Sequence, residues 1–189
     1  METLIRQSDR LLALTKTEYV RDIYDQISWN ARLIGIKGAK GVGKTTLLLQ
    51  RMKLAFPDSS KVLYVSLDDI WFASHSLMEL AEQAETRGIT NLFIDEVHRL
   101  PGWERQIKNL YDFFPNLHIA FTGSSLLIID NSIADLSRRC LLYSMRGLSF
   151  REYLGFEGYK FEKLSLSDIL YSHQTIVPKI AERLDILKY

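Results

Sequence analysis

Short apolar runs alternate with amphipathic segments along most of the chain. The runs predict five buried strands, over residues 32–36, 61–67, 91–94, 117–121 and 141–145. Between them, apolar side chains recur at helical spacing and predict helices over 45–52, 76–88 and 107–114, with another from the fourth strand to about Arg138. The strands are mainly apolar runs rather than alternating apolar and polar patterns, as expected of strands buried on both faces. This alternation predicts an α/β domain with helices on both sides of a parallel sheet.

The segment before the first strand is also predicted to be helical. Thr15 and Glu18 have the spacing of a capping box. Apolar residues then follow at helical spacing, namely Val20, Ile23, Tyr24 and Ile27. We therefore predict a helical lead-in that begins at Thr15.

The last part of the chain is predicted to contain a linker and a helical tail. Ser149 and Glu152 predict the cap of a short helix, and residues 155–161 predict the linker. Pro178 is expected in the first turn of a final helix with an apolar face of Ile180, Leu184 and Leu187. We interpret residues 1–155 as the main domain, and residues 156–189 as a linker and helical segment that begins a longer C-terminal region.

A glycine-rich sequence lies between the first strand and the helix that follows it. It satisfies G-x-x-x-x-G-K-[ST] and consists of Gly38, Ala39, Lys40, Gly41, Val42, Gly43, Lys44, Thr45 and Thr46. Glycines in this position let backbone N–H groups turn inward, and the helix dipole adds partial positive charge. Lys44 can then reach the β- and γ-phosphates, while the Thr45 hydroxyl binds magnesium. The sequence predicts a site for a nucleoside triphosphate.

Two adjacent acids end the third strand. Asp95 and Glu96 follow the apolar run 91–94, and burial of an unpaired carboxylate is costly, so partners are expected. Asp95 is predicted to hold Mg²⁺ through its hydration shell, and Glu96 to polarise a water for in-line attack on the γ-phosphate. An Asp-Glu pair can also begin an ordinary loop. Its position downstream of a phosphate loop favours the catalytic interpretation.

Polar residues also end the fourth strand. In P-loop proteins with a catalytic glutamate, this strand lies between the phosphate-loop strand and the Asp-Glu strand. Ser124 is the first candidate to contact the γ-phosphate or the attacking water and Thr122 the second, although Thr-Gly-Ser-Ser is equally a common turn sequence. Arg138 and Arg139 are candidates to stabilise charge on the nucleotide of a neighbouring subunit, or simply to end a helix with a cation.

Composition restricts the setting of this chemistry. The chain has 189 residues, a formal net charge of +1, 47% hydrophobic residues and one cysteine. This length allows one substantial domain, and the charge gives no global attraction to nucleic acid or to an anionic membrane. A single cysteine excludes an internal disulfide and fits a reducing compartment. Because the sequence has neither the layout of a signal peptide nor a membrane-spanning run, we expect a cytoplasmic protein without a membrane partner.

In their order, these blocks resemble a bacterial and archaeal family of AAA+-like P-loop ATPases. The resemblance is carried by Gly38–Thr46 and by residues 92–98, 121–125, 136–139 and 148–153. It implies a three-layer αβα fold with a five-stranded parallel sheet in the order 5-1-4-3-2, and ATP and Mg²⁺ as ligands. Members typically join this ATPase domain to an uncharacterised C-terminal domain, which the resemblance implies as a partner here.

Three functions are compatible with these residues. The first is an ATPase that couples Mg·ATP hydrolysis to rearrangement of a C-terminal domain or partner. Its hydrolytic activity could depend on the presence of that C-terminal region. The second is a switch with little turnover, in which ATP or ADP controls assembly, including assembly of a homo-oligomer. The third is a nucleic-acid-processing ATPase, which the net charge does not favour. A GTPase is disfavoured because the sequence has no Asn-Lys-x-Asp stretch.

Overall fold

The computed structural model of this chain describes residues 1–123, 136, 138–159 and 162–181. The described strands are β1 Leu33–Lys37, β2 Val62–Ser66, β3 Asn91–Asp95, β4 His118–Gly123 and β5 Leu141–Ser144. The described α-helices are α1 Glu2–Leu14, α2 Lys44–Ala55, α3 Leu77–Thr86, α4 Trp103–Phe113, α5 Phe150–Phe156, α6 Leu166–Tyr171 and α7 His173–Ala181. All five predicted strands are present, but β5 is not buried as predicted: it lies at the edge of the sheet, and Leu141 and Ser144 are exposed.

The five strands are parallel and form one sheet in the order β2-β3-β4-β1-β5. This confirms the predicted order 5-1-4-3-2. Lys37 at the end of β1 pairs with Gly123 of β4 and with Ser144 of β5, while Asp95 of β3 pairs with Ser66 of β2. The strand ends are therefore level, and the loop after β1 lies at the same edge of the sheet as the acids after β3.

Apolar side chains cover both faces of the sheet. One layer joins the sheet to α3 and α4 and contains, among others, Leu33, Leu80, Leu92, Ile94 and Ile107. The other joins the sheet to α2 and contains, among others, Ile34, Ile36, Leu47, Leu48 and Met52. Consecutive residues of a strand point to opposite faces, so a strand covered on both sides carries apolar side chains on both of its faces. The predicted three-layer αβα architecture is confirmed.

Helix α1 covers the edge strand β2 and lies outside the predicted elements. Ser8, near its centre, is buried, and its hydroxyl accepts a hydrogen bond from the Tyr64 N–H at 3.1 Å. The contact pairs a backbone donor on the outer side of β2, which is an edge strand of the described sheet. Ser8 interrupts the apolar face of α1 beside Leu4. For this reason the sequence pattern does not predict the helix.

The predicted helix that begins at Thr15 is wrong. Thr15 instead ends α1, and its hydroxyl donates to the Leu11 carbonyl at 2.7 Å. Arg21 has an extended backbone (φ −67°, ψ 143°), and only a short 3-10 helix, Asp22–Gln26, follows. The lead-in is helical, but its helix is α1. Local spacing fails here because the Arg21 side chain is held by residues more than a hundred positions away, as described below.

Helices α3 and α5 each begin with a capping box, and the predicted cap at Ser149 and Glu152 is that of α5. The Ser76 hydroxyl accepts from the Glu79 N–H at 3.2 Å, and the Glu79 carboxylate accepts from the Ser76 N–H at 3.1 Å. The same reciprocal pair forms between Ser149 and Glu152, at 3.2 and 2.9 Å. Both satisfy N–H groups that a helix start leaves without an intrahelical partner.

The chain divides into two compact units, residues 1–153 and residues 154–189. Helix α5 continues to Phe156, so the first two residues of the predicted linker are helical. Pro178 lies inside α7 rather than in its first turn, because the Ser172 carbonyl accepts from Thr175 and Ile176 and starts the helix earlier. The predicted helix before Arg138, together with Phe161, Leu184 and Leu187, lies outside the described residues. Of the helices described, none is long and apolar enough to cross a membrane.

Candidate active site

The glycine-rich loop joins β1 to α2, which begins at Lys44. Gly43 precedes the helix with φ +97°, and Gly41 has φ +84°, a backbone region that residues with a Cβ disfavour. Gly43 has no side chain that could cap the first turn of α2, so the N–H groups there are left for another acceptor. These groups and the dipole of α2 make the turn suitable for an anion.

One side of the loop rests on the backbone that follows β5. The Met145 N–H donates to the Lys37 carbonyl at 2.7 Å and extends the pairing of β1 with β5. A Cβ at Gly38 would lie 2.3 Å from the Met145 carbonyl oxygen, a distance that real Cβ atoms essentially never show. The close approach of two backbone segments therefore requires glycine at position 38.

Lys44 is held inside the loop. Its ammonium donates to the carbonyls of Gly38 at 2.9 Å and Ala39 at 2.8 Å, and the residue is 5% exposed. Burial lowers the pKa of the Lys44 ammonium, while the negative charges of Glu96 and Asp95 act in the opposite direction. The loop thus fixes a cation at the edge of the sheet where the two acids lie.

Four donors converge on the carboxylate of Asp95. Its Oδ2 accepts from the Thr45 hydroxyl at 2.5 Å and from the Tyr64 hydroxyl at 2.8 Å. Its Oδ1 accepts from the Thr122 hydroxyl and from the Glu96 N–H. Asp95 is only 3% exposed, so these bonds replace the water that a carboxylate would otherwise bind. The network brings the two residues predicted to bind magnesium, Thr45 and Asp95, into direct contact.

Tyr64 also belongs to this network, although no sequence motif points to it. Burial, followed by the nearby Asp95 carboxylate, raises the pKa of its phenol, which keeps the hydroxyl protonated and able to donate. A signal was present in the sequence, because a tyrosine in a strand buried on both faces needs a hydrogen-bond partner for its hydroxyl. Nothing local to β2 indicates that the partner is on β3.

Glu96 has a left-handed backbone, with φ 57° and ψ 41°. Such a conformation is uncommon for a residue with a Cβ and is concentrated at functional sites. Its carboxylate lies 3.3 Å from His98 Nε2 and 3.8 Å from Arg99 Nε, and Arg99 in turn lies 3.5 Å from Asp68. The sharp turn therefore places the Glu96 side chain next to Asp95 in the chain, where His98 and Arg99 contact its carboxylate.

Sequence comparison agrees with this arrangement of loop, lysine and acids. The AAA domain family model matches residues 30–154, which is more than half of the 189-residue chain. The chain belongs to the AAA domain family. The predicted class, a nucleotide-binding and ATPase-like protein, follows from that membership.

Known proteins similar to this AAA domain differ from it in length. An uncharacterized protein of Methanocaldococcus jannaschii is 30% identical over 133 aligned residues, and the match covers 68% of this chain and 29% of that protein. The chain therefore spans less than a third of this relative. AMPPCP-bound DnaA from Aquifex aeolicus has a TM-score of 0.49 and 18% identity, over 85% of this chain and 54% of that one. PCH-2 of C. elegans has a TM-score of 0.47 and 19% identity, over 88% and 50%.

The end of β4 contributes Thr122 to the site of this AAA domain. Thr122 is fully buried, and its hydroxyl bonds to Asp95 and accepts from the Glu96 N–H at 3.2 Å. β4 lies between β1 and β3, as predicted. Ser124, the first candidate on this strand, lies outside the described residues.

The two candidate arginines lie apart from the phosphate loop of their own chain. Arg139 bonds to Asp112 of α4, with Nε–Oδ1 and Nη2–Oδ2 distances of 2.9 and 3.3 Å. Arg138 is exposed. Because Leu141 pairs with Ile34 near the start of β1, the residues just before β5 lie at the opposite edge of the sheet from Lys37. Within one chain, neither arginine joins the cluster around Lys44 and Asp95.

Proposed function

We propose that this AAA domain binds Mg·ATP and hydrolyses the bond to its γ-phosphate. The observation that carries the proposal is the 2.5 Å contact between the Thr45 hydroxyl, at the end of the phosphate loop, and the Asp95 carboxylate, at the end of β3. Lys44 and Glu96, the neighbours of these two residues in the chain, supply a cation and a candidate base at the same edge of the sheet.

The phosphates bind to the loop Gly38–Thr46 in this proposal. Backbone N–H groups at the start of α2 donate to the phosphate oxygens, and the helix dipole adds to the attraction. The Lys44 ammonium neutralises charge on the β- and γ-phosphates. Its two bonds to loop carbonyls support this role, because they orient the ammonium before a nucleotide arrives.

Thr45 and Asp95 are suited to hold Mg²⁺. Both offer oxygen atoms, which this hard cation prefers, and the small number of protein ligands fits an ion that keeps several waters. When bound, the ion neutralises charge on the phosphate oxygens. Hydroxyl donors orient the Asp95 carboxylate, so its oxygen atoms are positioned to receive a cation.

Glu96 acts as the general base in this mechanism. Its carboxylate orients a water and takes its proton as the water oxygen bonds to the γ-phosphorus. The bond from that phosphorus to the β–γ bridging oxygen then breaks and leaves ADP and phosphate. The contacts of Glu96 with His98 and Arg99 support a defined orientation of the carboxylate.

The remaining candidates are assigned to supporting roles. We propose that Ser124 contacts the γ-phosphate or the attacking water, while Thr122 acts through its bond to Asp95. For the arginine that would reach the nucleotide of a neighbouring copy, Arg138 is the better candidate because Arg139 is already bonded to Asp112. A guanidinium supplied in this way would stabilise charge in the transition state and requires a homo-oligomer.

The proposed output of hydrolysis is a rearrangement of a C-terminal region or of a partner. This proposal is supported by the length of the Methanocaldococcus jannaschii relative, of which the chain spans 29%. That relative has regions beyond the part that matches this chain, and a comparable region is the one on which hydrolysis would act.

Steady-state ATP hydrolysis tests the catalytic proposal. We expect Mg²⁺-dependent turnover by the wild-type chain and only background turnover by Lys44→Ala. Glu96→Gln keeps the size of the side chain but removes the base, so its kcat should fall about 10²- to 10⁴-fold while ATP affinity changes little. Equal turnover in Glu96→Gln and wild type would refute the role of Glu96. Wild-type turnover no higher than that of Lys44→Ala would refute ATP hydrolysis by this chain.

A further inference from the structure

One arginine outside the predicted site binds the phosphate loop directly. Arg21 Nη1 donates to the Val42 carbonyl at 2.8 Å, and Nη2 donates to the carbonyls of Arg146 and Gly147 at 3.0 and 3.1 Å. Nε and Nη2 also donate to the two carboxylate oxygens of Glu152, at 2.7 and 3.1 Å. A single guanidinium therefore joins the phosphate loop to the segment after β5.

Glu152 in turn fixes the position of the guanidinium. Its Oε1 also accepts from the Asp22 N–H at 3.1 Å, and its Oε2 from the N–H and hydroxyl of Ser149 at 2.9 and 3.1 Å. Glu152 is 7% exposed and the Arg21 side chain 13%. The two-pronged geometry is specific to arginine, because a lysine ammonium cannot present parallel N–H groups to both carboxylate oxygens and still reach the loop.

The bond to Val42 has a consequence for the phosphate side of the loop. In a planar trans peptide, the carbonyl of one residue and the N–H of the next point in opposite directions. The bond from Arg21 to the Val42 carbonyl therefore directs the Gly43 N–H away from Arg21. Gly43, with φ +97°, immediately precedes Lys44. In the proposed function, its N–H is one of the groups that bind the phosphates.

The backbone of the segment after β5 contacts the first part of the loop. The Met145 N–H binds the Lys37 carbonyl before the loop, and the Met145 carbonyl closely approaches Gly38 at the start of the loop. Val42 lies later in the loop, just before its final turn. Arg21 extends the contact between the two segments to this later part.

We propose that Arg21, held by Glu152, is a positioning residue that keeps the phosphate loop in the shape that binds nucleotide. The effect on nucleotide affinity rests on the proposed function, whereas the effect on loop shape does not. The Ser149–Glu152 cap, which has no part in the proposed ATPase mechanism, would then serve to hold Arg21. Arg21 acts through the Val42–Gly43 peptide and does not itself contact the nucleotide in this assignment.

Arg21→Lys is the principal test, because it keeps the charge and the alkyl chain but loses the two-pronged geometry. Two measurements are made on the full chain: the Mg·ATP dissociation constant, and hydrogen exchange of the amides of residues 41–44 without nucleotide. We expect Mg·ATP affinity to fall about 10- to 100-fold, and these amides to exchange faster than in wild type. Exchange in β3 and β4 should stay unchanged, which separates loop positioning from general destabilisation.

Arg87→Met is the matched control. Arg87 also pairs with a glutamate, Glu2, at 3.0 Å, but both side chains are exposed and the pair does not touch the loop. This variant should match wild type in both measurements. Arg21→Met and Glu152→Gln, alone and combined, complete a cycle, and the double variant should bind Mg·ATP no more weakly than the weaker single variant.

The outcomes separate this inference from the proposed function. Unchanged loop exchange together with Mg·ATP affinity within twofold of wild type in Arg21→Lys would overturn the role of Arg21. Failure of the wild-type chain to bind Mg·ATP would overturn the proposed function, while faster loop exchange in Arg21→Lys would still support the positioning role. Fully additive losses for Arg21→Met and Glu152→Gln would contradict their action as one unit.

Discussion

The two sides of the phosphate loop each contain a buried carboxylate, but the two carboxylates have different partners. On the β3 side, the hydroxyls of Thr45, Tyr64 and Thr122 donate to Asp95. On the β5 side, Glu152 is paired with the guanidinium of Arg21. The first set of donors is neutral, whereas the second carries a full positive charge.

This difference indicates what each carboxylate can do. Hydroxyl donors orient Asp95 without neutralising it, so its negative charge stays available to a metal ion. The charge of Glu152 is matched within the protein, and its contribution is therefore to geometry and stability. The comparison predicts that loss of Glu152 mainly affects folding and loop shape, while loss of Asp95 mainly affects the response to Mg²⁺.

The largest effect on stability is expected for Glu152→Gln. Removal of one charge from a buried pair leaves the Arg21 guanidinium without its counter-charge, and we expect the free energy of unfolding to fall by about 3 kcal/mol. Urea denaturation at neutral pH measures the loss. Glu2→Gln, which breaks an exposed pair with Arg87, should cost less than about 1 kcal/mol. Equal losses in the two variants would contradict a structural role for the buried pair.

The same pair should give a pH dependence with a definite sign. Burial by itself raises the pKa of Glu152, but hydrogen bonds from Arg21, Ser149 and Asp22 outweigh it and lower the pKa from 4.5 to about 2. Because the folded value lies below the unfolded one, the stabilisation is complete above about pH 4.5 and is lost as the pH falls toward 2. The difference in unfolding free energy between wild type and Glu152→Gln should therefore shrink only below about pH 4.5. A constant difference down to pH 3 would argue against an ionised pair.

Compared with Glu152→Gln, Asp95→Asn should lower the free energy of unfolding less and reduce the Mg²⁺ dependence of ATP binding more. The amide nitrogen cannot accept, so two of the four donors around position 95 lose their acceptor, and we expect a loss of about 2 kcal/mol in unfolding free energy. ATP affinity measured with Mg²⁺ and with EDTA should become nearly equal, because the charge that attracts the ion is gone. If Glu152→Gln abolished the effect of Mg²⁺ on ATP affinity and Asp95→Asn did not, the assignment of the Mg²⁺ response to Asp95 would be contradicted.

Tyr64→Phe should have the smallest effect. It removes one neutral donor to Asp95 and leaves the ring in place, so we expect a loss of about 1 kcal/mol in unfolding free energy. The Mg²⁺ concentration for half-maximal ATP binding should rise a few-fold, because Asp95 is less firmly oriented. Tyr171→Phe, at a tyrosine that is 84% exposed, serves as the control. Identical Mg²⁺ curves for Tyr64→Phe and wild type would show that Tyr64 does not orient the carboxylate.

The β3 side of the loop could be predicted from the sequence, because its signals are local. The spacing of Gly38, Gly43 and Lys44 and the acids that end an apolar run identify both halves of the site. The parallel sheet follows from continuous apolar runs, and a parallel sheet brings the ends of β1 and β3 to one edge. The contact between Thr45 and Asp95 follows from this topology.

The β5 side could not be predicted, because its partners are distant in the chain. Arg21 and Glu152 are separated by 131 positions, and no sequence motif indicates that they form a pair. The helix predicted from Thr15 fails for the same reason, since the bonds of Arg21 are made while its backbone is extended. Tyr64 is an intermediate case, in which the sequence indicates that a partner is needed but does not identify it.

Calorimetric titration of the wild-type chain and of Lys44→Ala with Mg·ATP tests directly whether the phosphate loop is a nucleotide site. We expect saturable binding of one nucleotide per wild-type chain, and an affinity at least about 100-fold lower in Lys44→Ala, because a buried cation inside the loop is lost. Equal affinity in the two proteins, or no binding to wild type, would contradict a nucleotide site at this loop.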